Sequence, residues 1–275
     1  MKQIYGFNRQ PAQRNYTIRD LQQLKQSGQR LTMVNPANAT EIQACVDAGI
    51  DLLTVWDRDL DMSRSIAPNH FTVAGMNWSD HHTKDDILRH AITTMEAGAD
   101  MYFTNRSYEV IEMLAKENIP VQSHVGLVPT FSTWGGGLRA HGRTADEALE
   151  LHKTFKRLEE VGCVAVEIEC VAEATLNHLN HRTSIVTIGI GAGNAGDAVF
   201  LFMSDICGES DAPPKHAHAF GNLAPLHQQM YQERVAALQA FHAATTTKQF
   251  PYAEQSITMH ADEERKLLEA LDKLT

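Results

Sequence analysis

A carboxylate at the end of an apolar run is the feature of this sequence that most clearly indicates chemistry. Glu169 closes the run 164–169, whose Val and Ile residues are typical of a buried strand. A carboxylate in that position is costly unless it is paired or used. In a barrel of parallel strands, catalytic side chains stand where the strands end. Glu169 is therefore our candidate for a general base that removes a proton from carbon.

Polar side chains follow or interrupt the other apolar runs. They are Asp57, Arg58, Asp59 and Asp61 after the second run, Asn77, Asp80, His81 and His82 after the third, Thr104, Asn105 and Arg106 after the fourth, and Ser123 and His124 within the fifth. An acid, an amide and two or three histidines on one rim could hold a hard divalent cation. Such a cation polarises a 2-oxo acid and stabilises its enolate while a carboxylate removes the proton.

Structural interpretations of the same residues stay open. An Asp at a strand end, such as Asp57, is often a helix cap or a turn former. His81 and His82 precede a predicted helix and could be solvated. His124 could be a core histidine whose ring is satisfied by the backbone. The glycine-rich segment 189–193 could hold a phosphate, but no helix follows it closely, so a tight turn is favoured.

Eight apolar runs alternate with helical patterns. The predicted strands are residues 31–34, 51–56, 71–75, 101–104, 121–127, 164–169, 185–190 and 199–203. Helices are predicted from Thr17 to Gly28, from Thr83 to Gly98 and from Thr144 to Gly162, because a Thr followed by acids caps a helix start and Gly favours its end. Repeated strand–helix units predict an α/β fold with a parallel sheet, and eight of them favour a (β/α)8 TIM barrel.

The predicted barrel, about 17–210, has two irregular connections. Only 14 residues separate the second and third strands, so this connection is shortened, and loop 191–196 leaves no room for a helix. A Pro- and His-rich segment, 211–220, and helices over about 223–244 and 261–274 form extra C-terminal helices, about 211–275. Because no linker is apparent, we predict one domain over 1–275.

The composition excludes some function classes. The chain has 275 residues with 24 Lys and Arg against 34 Asp and Glu, a net charge of −10, which argues against a sequence-independent nucleic-acid binder. The four cysteines form no CxxC pair, which is typical of reduced cytoplasmic thiols. The N-terminus has no signal-peptide pattern, and the apolar runs are far shorter than the roughly 20 residues that span a bilayer.

Several motifs, in order along nearly the whole chain, resemble those of the ketopantoate hydroxymethyltransferase family. They are SHVGLVP at 123–129 for G-H-x-G-L-x-P-Q, GGLRAHGR at 136–143, IECV at 168–171 for L-E-C-V-P, IGIGAG at 188–193, MSDICG at 203–208 for M-H-D-x-x-G, and PYAEQS at 251–256 for P-x-x-E-H-S. Each motif alone is weak, but the ordered combination is specific.

The resemblance implies a (β/α)8 barrel of the phosphoenolpyruvate/isocitrate-lyase superfamily. That family transfers a hydroxymethyl group from methylenetetrahydrofolate to 3-methyl-2-oxobutanoate, with Mg2+, in pantothenate synthesis. By motif, Glu169 resembles the base that deprotonates C3, Asp57 the first metal-binding Asp, and His124 a histidine that contacts the substrate. The resemblance also implies a homo-oligomer, with a decamer as one expected size.

The sequence departs from the family at the expected metal site. The second metal-binding Asp aligns with Gly75, the substrate-binding Lys with Phe103 and the outer acidic residue with Asn105. Arg58 replaces the Ser that follows the first Asp, and the segment between the second and third strands is about 20 residues shorter than the family's.

Other residues could compensate for the lost acids. Arg58 or Arg106 could hold a substrate carboxylate through paired hydrogen bonds, with Asn105 as a further contact. Asp80, His81 and His82 could rebuild a metal site with Asp57.

Three functions therefore compete. The first is hydroxymethyl transfer to a 2-oxo acid through an enolate, with Glu169 as base. The second is a divergent paralogue that acts as an aldolase or lyase on another 2-oxo acid. The third is a catalytically silent barrel that binds a small molecule or a partner.

Overall fold

A computed structural model describes residues 1–75 and 80–274 of the chain. Asn77, one of the candidate site residues, lies outside the described residues. The chain divides into two compact units, Met1–Gly221 and Asn222–Thr275. The interpretation as one domain over 1–275 stays a prediction, and the units are described separately below.

Eight parallel strands close into a barrel in the first unit, as the sequence predicts. They are β3 (Leu31–Asn35), β4 (Leu52–Trp56), β5 (Phe71–Gly75), β6 (Met101–Phe103), β7 (Val121–Gly126), β8 (Ala165–Glu169), β9 (Val186–Ile190) and β10 (Ala198–Phe202). The strands pair in chain order, and β10 closes the barrel against β3. Each predicted strand end lies within one residue of the observed one. The (β/α)8 prediction is therefore confirmed.

Helices cover the barrel between strands. They are α1 (Ile18–Ser27), α2 (Ala39–Ala48), α3 (Leu60–Ile66), α4 (Lys84–Glu96), α5 (Tyr108–Lys116), α6 (Ala145–Glu160), α7 (Glu173–Asn180) and the short α8 (Met203–Cys207). The predicted caps form: the side chains of Thr17, Thr83 and Thr144 each accept a hydrogen bond from a backbone N–H in the first turn.

The shortened connection after β4 holds a 3-10 turn at Asp57–Asp59 followed by the two-turn helix α3. Residues 191–197, between β9 and β10, contain no helix, which confirms the second predicted irregularity. An N-terminal hairpin, β1 (Lys2–Tyr5) with β2 (Pro11–Arg14), was not predicted, because its residues are mostly polar and show no apolar alternation.

Alternate side chains of the strands fill the barrel. Leu31, Leu52, Phe71, Met101, Val186 and Phe200 belong to this interior cluster. A second cluster, which includes Val55, Tyr102, Val125 and Ile168, lies between the strands and the helices. This alternation means that a polar residue at an inward position near the end of a strand must face the mouth of the barrel.

The second unit contains α9 (Ala224–Thr246), a 3-10 turn at Ala253–Gln255, and α10 (Ala261–Leu271). Both helices agree with the predicted C-terminal helices. No helix within the described part of the chain is long and apolar enough to cross a membrane.

A buried ion cluster joins the N-terminal hairpin to the barrel. Asp100, which directly precedes β6, accepts from Arg14 Nε at 2.7 Å, from Arg64 Nη2 at 2.6 Å and from the Thr72 backbone at 2.9 Å. The side chains of Asp100 and Arg14 are 9% and 6% exposed. Removing the acid would leave two guanidinium groups close together without their counter-charge.

We therefore expect Asp100→Asn to lower the free energy of unfolding by about 3–5 kcal/mol, the cost of breaking a buried ion pair from one side. Urea denaturation of the purified protein measures it. The control is Glu150→Gln, because Glu150 pairs with Lys153 on the surface, where an ion pair contributes about 0–1 kcal/mol. Equal losses in the two variants would contradict this account of the cluster.

Candidate active site

A histidine and two glutamates meet at the mouth of the barrel on β7 and β8. The register pairs His124 with Glu167 and Gly126 with Glu169. Because Glu167 and Glu169 are two residues apart on one strand, both point to the same face. His124 Nε2 lies 3.2 Å from Glu169 Oε2 and 3.7 Å from Glu167 Oε1. The three atoms that could bind a metal, one from each side chain, lie within 4.8 Å of one another, an arrangement that could hold a metal ion.

The cluster is largely withdrawn from solvent. The side chains of His124, Glu167 and Glu169 are 7%, 12% and 16% exposed. Burial opposes charge on His124, but the Glu169 contact and the Glu167 charge outweigh it and raise the pKa of His124. Burial also raises the pKa of Glu167, with a further increase from Glu169 that the charge of His124 opposes. His124 and Glu167 therefore hold their protons more strongly than the isolated groups would.

The backbone after β8 fixes the position of Glu169. The Glu169 carbonyl accepts from the Leu127 N–H at 2.8 Å. Gly126 has φ +85°, and a side chain there would collide with that carbonyl, so this close approach requires Gly. Cys170 follows with φ +51°, which is uncommon for a residue with a side chain. This strained turn directly after Glu169 is consistent with a functional site.

On the other side of the mouth, Asp57 pairs with a histidine that was not among the predicted residues. His90, on α4, lies with Nε2 2.8 Å from Asp57 Oδ2 and with Nδ1 2.9 Å from the Tyr102 hydroxyl. Burial and the Asp57 charge raise the pKa of Tyr102, so Tyr102 keeps its proton and donates it to Nδ1. His90 therefore donates its Nε2–H to Asp57, which fixes the tautomer.

Of the other predicted residues, His81 and Arg106 lie next to this pair. The His81 ring stacks on His90 at 4.2 Å between centroids, and Arg106 donates to the His81 carbonyl. Asn105 makes a long 3.5 Å contact with the Thr130 hydroxyl. Asp80 and His82 are exposed.

Arg58 stands apart from this network. Its side chain is 75% exposed, close to Asp59 and 5.7 Å from the centre of the Trp56 ring. It is therefore open to solvent at the mouth of the barrel.

A cavity of about 180 Å³ opens at the mouth beside Glu167. Its lining includes the aromatic side chains Trp56, Phe103, Phe200 and Phe202, with Glu167 on one wall. The Phe103 ring lies 6.1 Å from the His124 ring. The space next to the His124 cluster is thus mostly apolar and suits a small organic molecule with a polar end.

Comparison with known proteins identifies the family. Residues 60–253 match the family model described as ketopantoate hydroxymethyltransferase. The chain belongs to the ketopantoate hydroxymethyltransferase family. It is 27% identical over 274 residues to 3-methyl-2-oxobutanoate hydroxymethyltransferase of Desulfotalea psychrophila, a match that covers 90% of this chain and 95% of the relative. It is 28% identical over 293 residues to the Deinococcus radiodurans protein of the same name, covering 96% and 99%.

A solved structure supports the barrel. A candidate phosphonomutase from Burkholderia cenocepacia aligns with a TM-score of 0.52 and 10% identity, covering 82% of this chain and all of that one. At this identity the likeness concerns the fold alone.

The expected metal position of the ketopantoate hydroxymethyltransferase family does not fit a cation well in this chain. Asp57 is held by His90, and Gly75 leaves no room for an acid, because a Cβ there would stand 2.8 Å from Phe103 Cβ and 2.9 Å from its carbonyl oxygen. Within residues 1–75 and 80–274, no three metal-binding side chains converge around Asp57. Its role as a ligand, with Asp80, His81, His82 or Asn105, stays a prediction.

The close approach of Gly75 and Phe103 can be tested directly. We expect Gly75→Ala to lower the free energy of unfolding by about 1–3 kcal/mol, because the added methyl group overpacks the contact between β5 and β6. Chemical denaturation measures the loss. Gly135→Ala is the matched control, since its Cβ would find its nearest neighbour at 3.6 Å. A Gly75→Ala protein as stable as the wild type would show that the two strands can separate at no cost.

Proposed function

We propose that this protein transfers a hydroxymethyl group to 3-methyl-2-oxobutanoate, a step of pantothenate synthesis. The observation that supports this most is the position of Glu169 beside His124 at the mouth of the barrel, in a chain that matches the family over most of its length. Relatives that this chain matches over 90% or more of its length are named for this reaction.

The proposed reaction begins with proton removal. Glu169 takes the proton from C3 of the 2-oxo acid, and the electron pair of the broken C–H bond forms an enolate. The enolate carbon then attacks the one-carbon unit supplied by methylenetetrahydrofolate, so that the new C–C bond forms while the bonds from that carbon to the folate nitrogens break. Water supplies the hydroxyl oxygen, and tetrahydrofolate leaves with the remaining proton. His124 faces the same space, and we propose that it contacts the substrate either directly or through a bound cation.

The carboxylate of the substrate needs a cationic or amide partner. Arg58 is the best placed of the predicted residues, because it is exposed at the mouth next to Trp56 and the aromatic cavity. Arg106 already donates to the carbonyl of His81, so it would hold the segment around His81 in place as well as bind the substrate carboxylate. Asn105 remains a further candidate contact.

A divalent cation would supply Lewis acidity, polarising the keto group and stabilising the enolate. The family resemblance implies Mg2+, but the residues around Asp57 fit it poorly. A homo-oligomer, with a decamer as one expected size, and a cytoplasmic location also stay predictions.

The competing functions have less support. The aromatic lining of the cavity favours an apolar 2-oxo acid such as 3-methyl-2-oxobutanoate, whereas a divergent aldolase or lyase would act on another 2-oxo acid. A catalytically silent barrel would have no need of Glu169 and Glu167 in a buried site, where carboxylates are costly.

The base assignment predicts a specific loss. In D2O, the wild-type protein should exchange the C3 proton of 3-methyl-2-oxobutanoate for deuterium, as followed by NMR. We expect Glu169→Gln to slow this exchange by about 10²–10⁴-fold, the contribution of a general base, because the amide cannot accept the proton.

The control is Glu160→Gln, a carboxylate on α6 that pairs with Arg157 at the surface and should leave exchange unchanged. Full exchange in Glu169→Gln would remove Glu169 from the mechanism. Wild-type exchange without ketopantoate formation from methylenetetrahydrofolate would favour the lyase alternative instead.

A further inference from the structure

One ring nitrogen of His124 is buried without a hydrogen-bond partner. Nε2 points between the carboxylates of Glu167 and Glu169, but neither contact is aligned as a hydrogen bond. The side chain is only 7% exposed, so solvent hardly reaches this atom. The Leu127 backbone also accepts from the ring, which contributes to the raised pKa of His124. This orientation leaves Nε2 directed at two oxygen atoms.

Two carboxylates share this space with a single imidazole. Glu167 is 12% and Glu169 16% exposed, and His124 is the charged partner that lies against them. With all three side chains in their charged forms, the group would carry one net negative charge in a poorly solvated position. Buried carboxylates of this kind are usually paired or coordinate a metal ion.

The distances suit one ion. Two ligand atoms that each bind a divalent transition metal at about 2.1 Å stand roughly 3–3.5 Å apart. Nε2 is 3.2 Å from the Glu169 oxygen and 3.7 Å from the Glu167 oxygen, so small side-chain movements complete the set. Metal-binding histidines commonly donate their other ring N–H to a backbone carbonyl, as the Leu127 contact would provide.

We propose that His124 Nε2, Glu167 and Glu169 bind one divalent first-row transition metal ion. This site lies on β7 and β8, whereas the metal position that the family resemblance implies lies around Asp57. One imidazole with two carboxylates favours Mn2+, Fe2+, Co2+ or Zn2+ over Mg2+, which prefers oxygen ligands alone. Three protein ligands leave coordination positions open toward the aromatic cavity, where Glu167 forms part of the wall.

The proposal adds to the proposed function and rests on it for one point. A 2-oxo acid that binds the ion through its carboxylate and keto oxygens would displace Glu169, which then stands free as the base. Binding of the ion itself does not depend on this step. The two proposals can therefore fail separately.

Cobalt alone is the probe for the site. Wild-type protein, freed of metal with a chelator, should bind one equivalent of Co2+ per chain and develop visible d–d absorption. We expect Glu167→Gln and His124→Gln to weaken Co2+ binding at least about 100-fold in calorimetric titration, because changes to outer-shell partners alone cost 10–100-fold. Thermal melts check folding, and Co2+ should raise the melting temperature of the wild type but not of Glu167→Gln.

Asp57→Asn separates this site from the family position. This variant should bind Co2+ as tightly as the wild type if the ion sits on β7 and β8. The proposal is overturned if Asp57→Asn abolishes binding, if Glu167→Gln binds as tightly as the wild type, or if the wild type binds no Co2+. Stoichiometric Co2+ binding without C3 exchange would leave the metal site standing and would count against the proposed function alone.

Discussion

The hydrogen-bonded register between β7 and β8 is the constraint on which the mouth of this barrel depends. It places His124 opposite Glu167, and the two-residue period of a strand turns Glu169 to the same side. A slip of one residue would face all of the β8 carboxylates away from the barrel. Such a slip is blocked because β8 also pairs with β9 over five residues in the closed sheet.

The two sides of the mouth differ in how their acids are neutralised. Asp57 has its own donor in His90, whose tautomer is fixed by Tyr102. Glu167 and Glu169 share one imidazole. The close contact between β5 and β6 leaves no space for an acid at Gly75. The carboxylates that lack a counter-charge of their own are therefore those on the β7–β8 side, although the family resemblance alone implies a metal at Asp57.

The sequence predicts the barrel well because its strands are continuous apolar runs between capped helices, and such signals are local. The site is predicted less completely because its contacts are not local. His90 lies in the middle of α4, 33 residues from Asp57, and nothing near it in the sequence indicates this partner. Glu167 did carry a signal. It stands two residues before Glu169 in one strand, so the two carboxylates had to share a face.

The two ends of the barrel satisfy their polar groups differently. At the amino-terminal end, Asp100 and Asp197 are each held by several donors from neighbouring elements. On the inward face of β7, His124 Nε2 near the mouth and the two side-chain polar atoms of Gln122, one layer deeper, are buried without hydrogen-bond partners among the described residues. An unsatisfied buried polar group costs about 1–3 kcal/mol. At His124 that cost falls at the end where barrels bind ligands, which is the pattern expected of a site that is completed by what it binds.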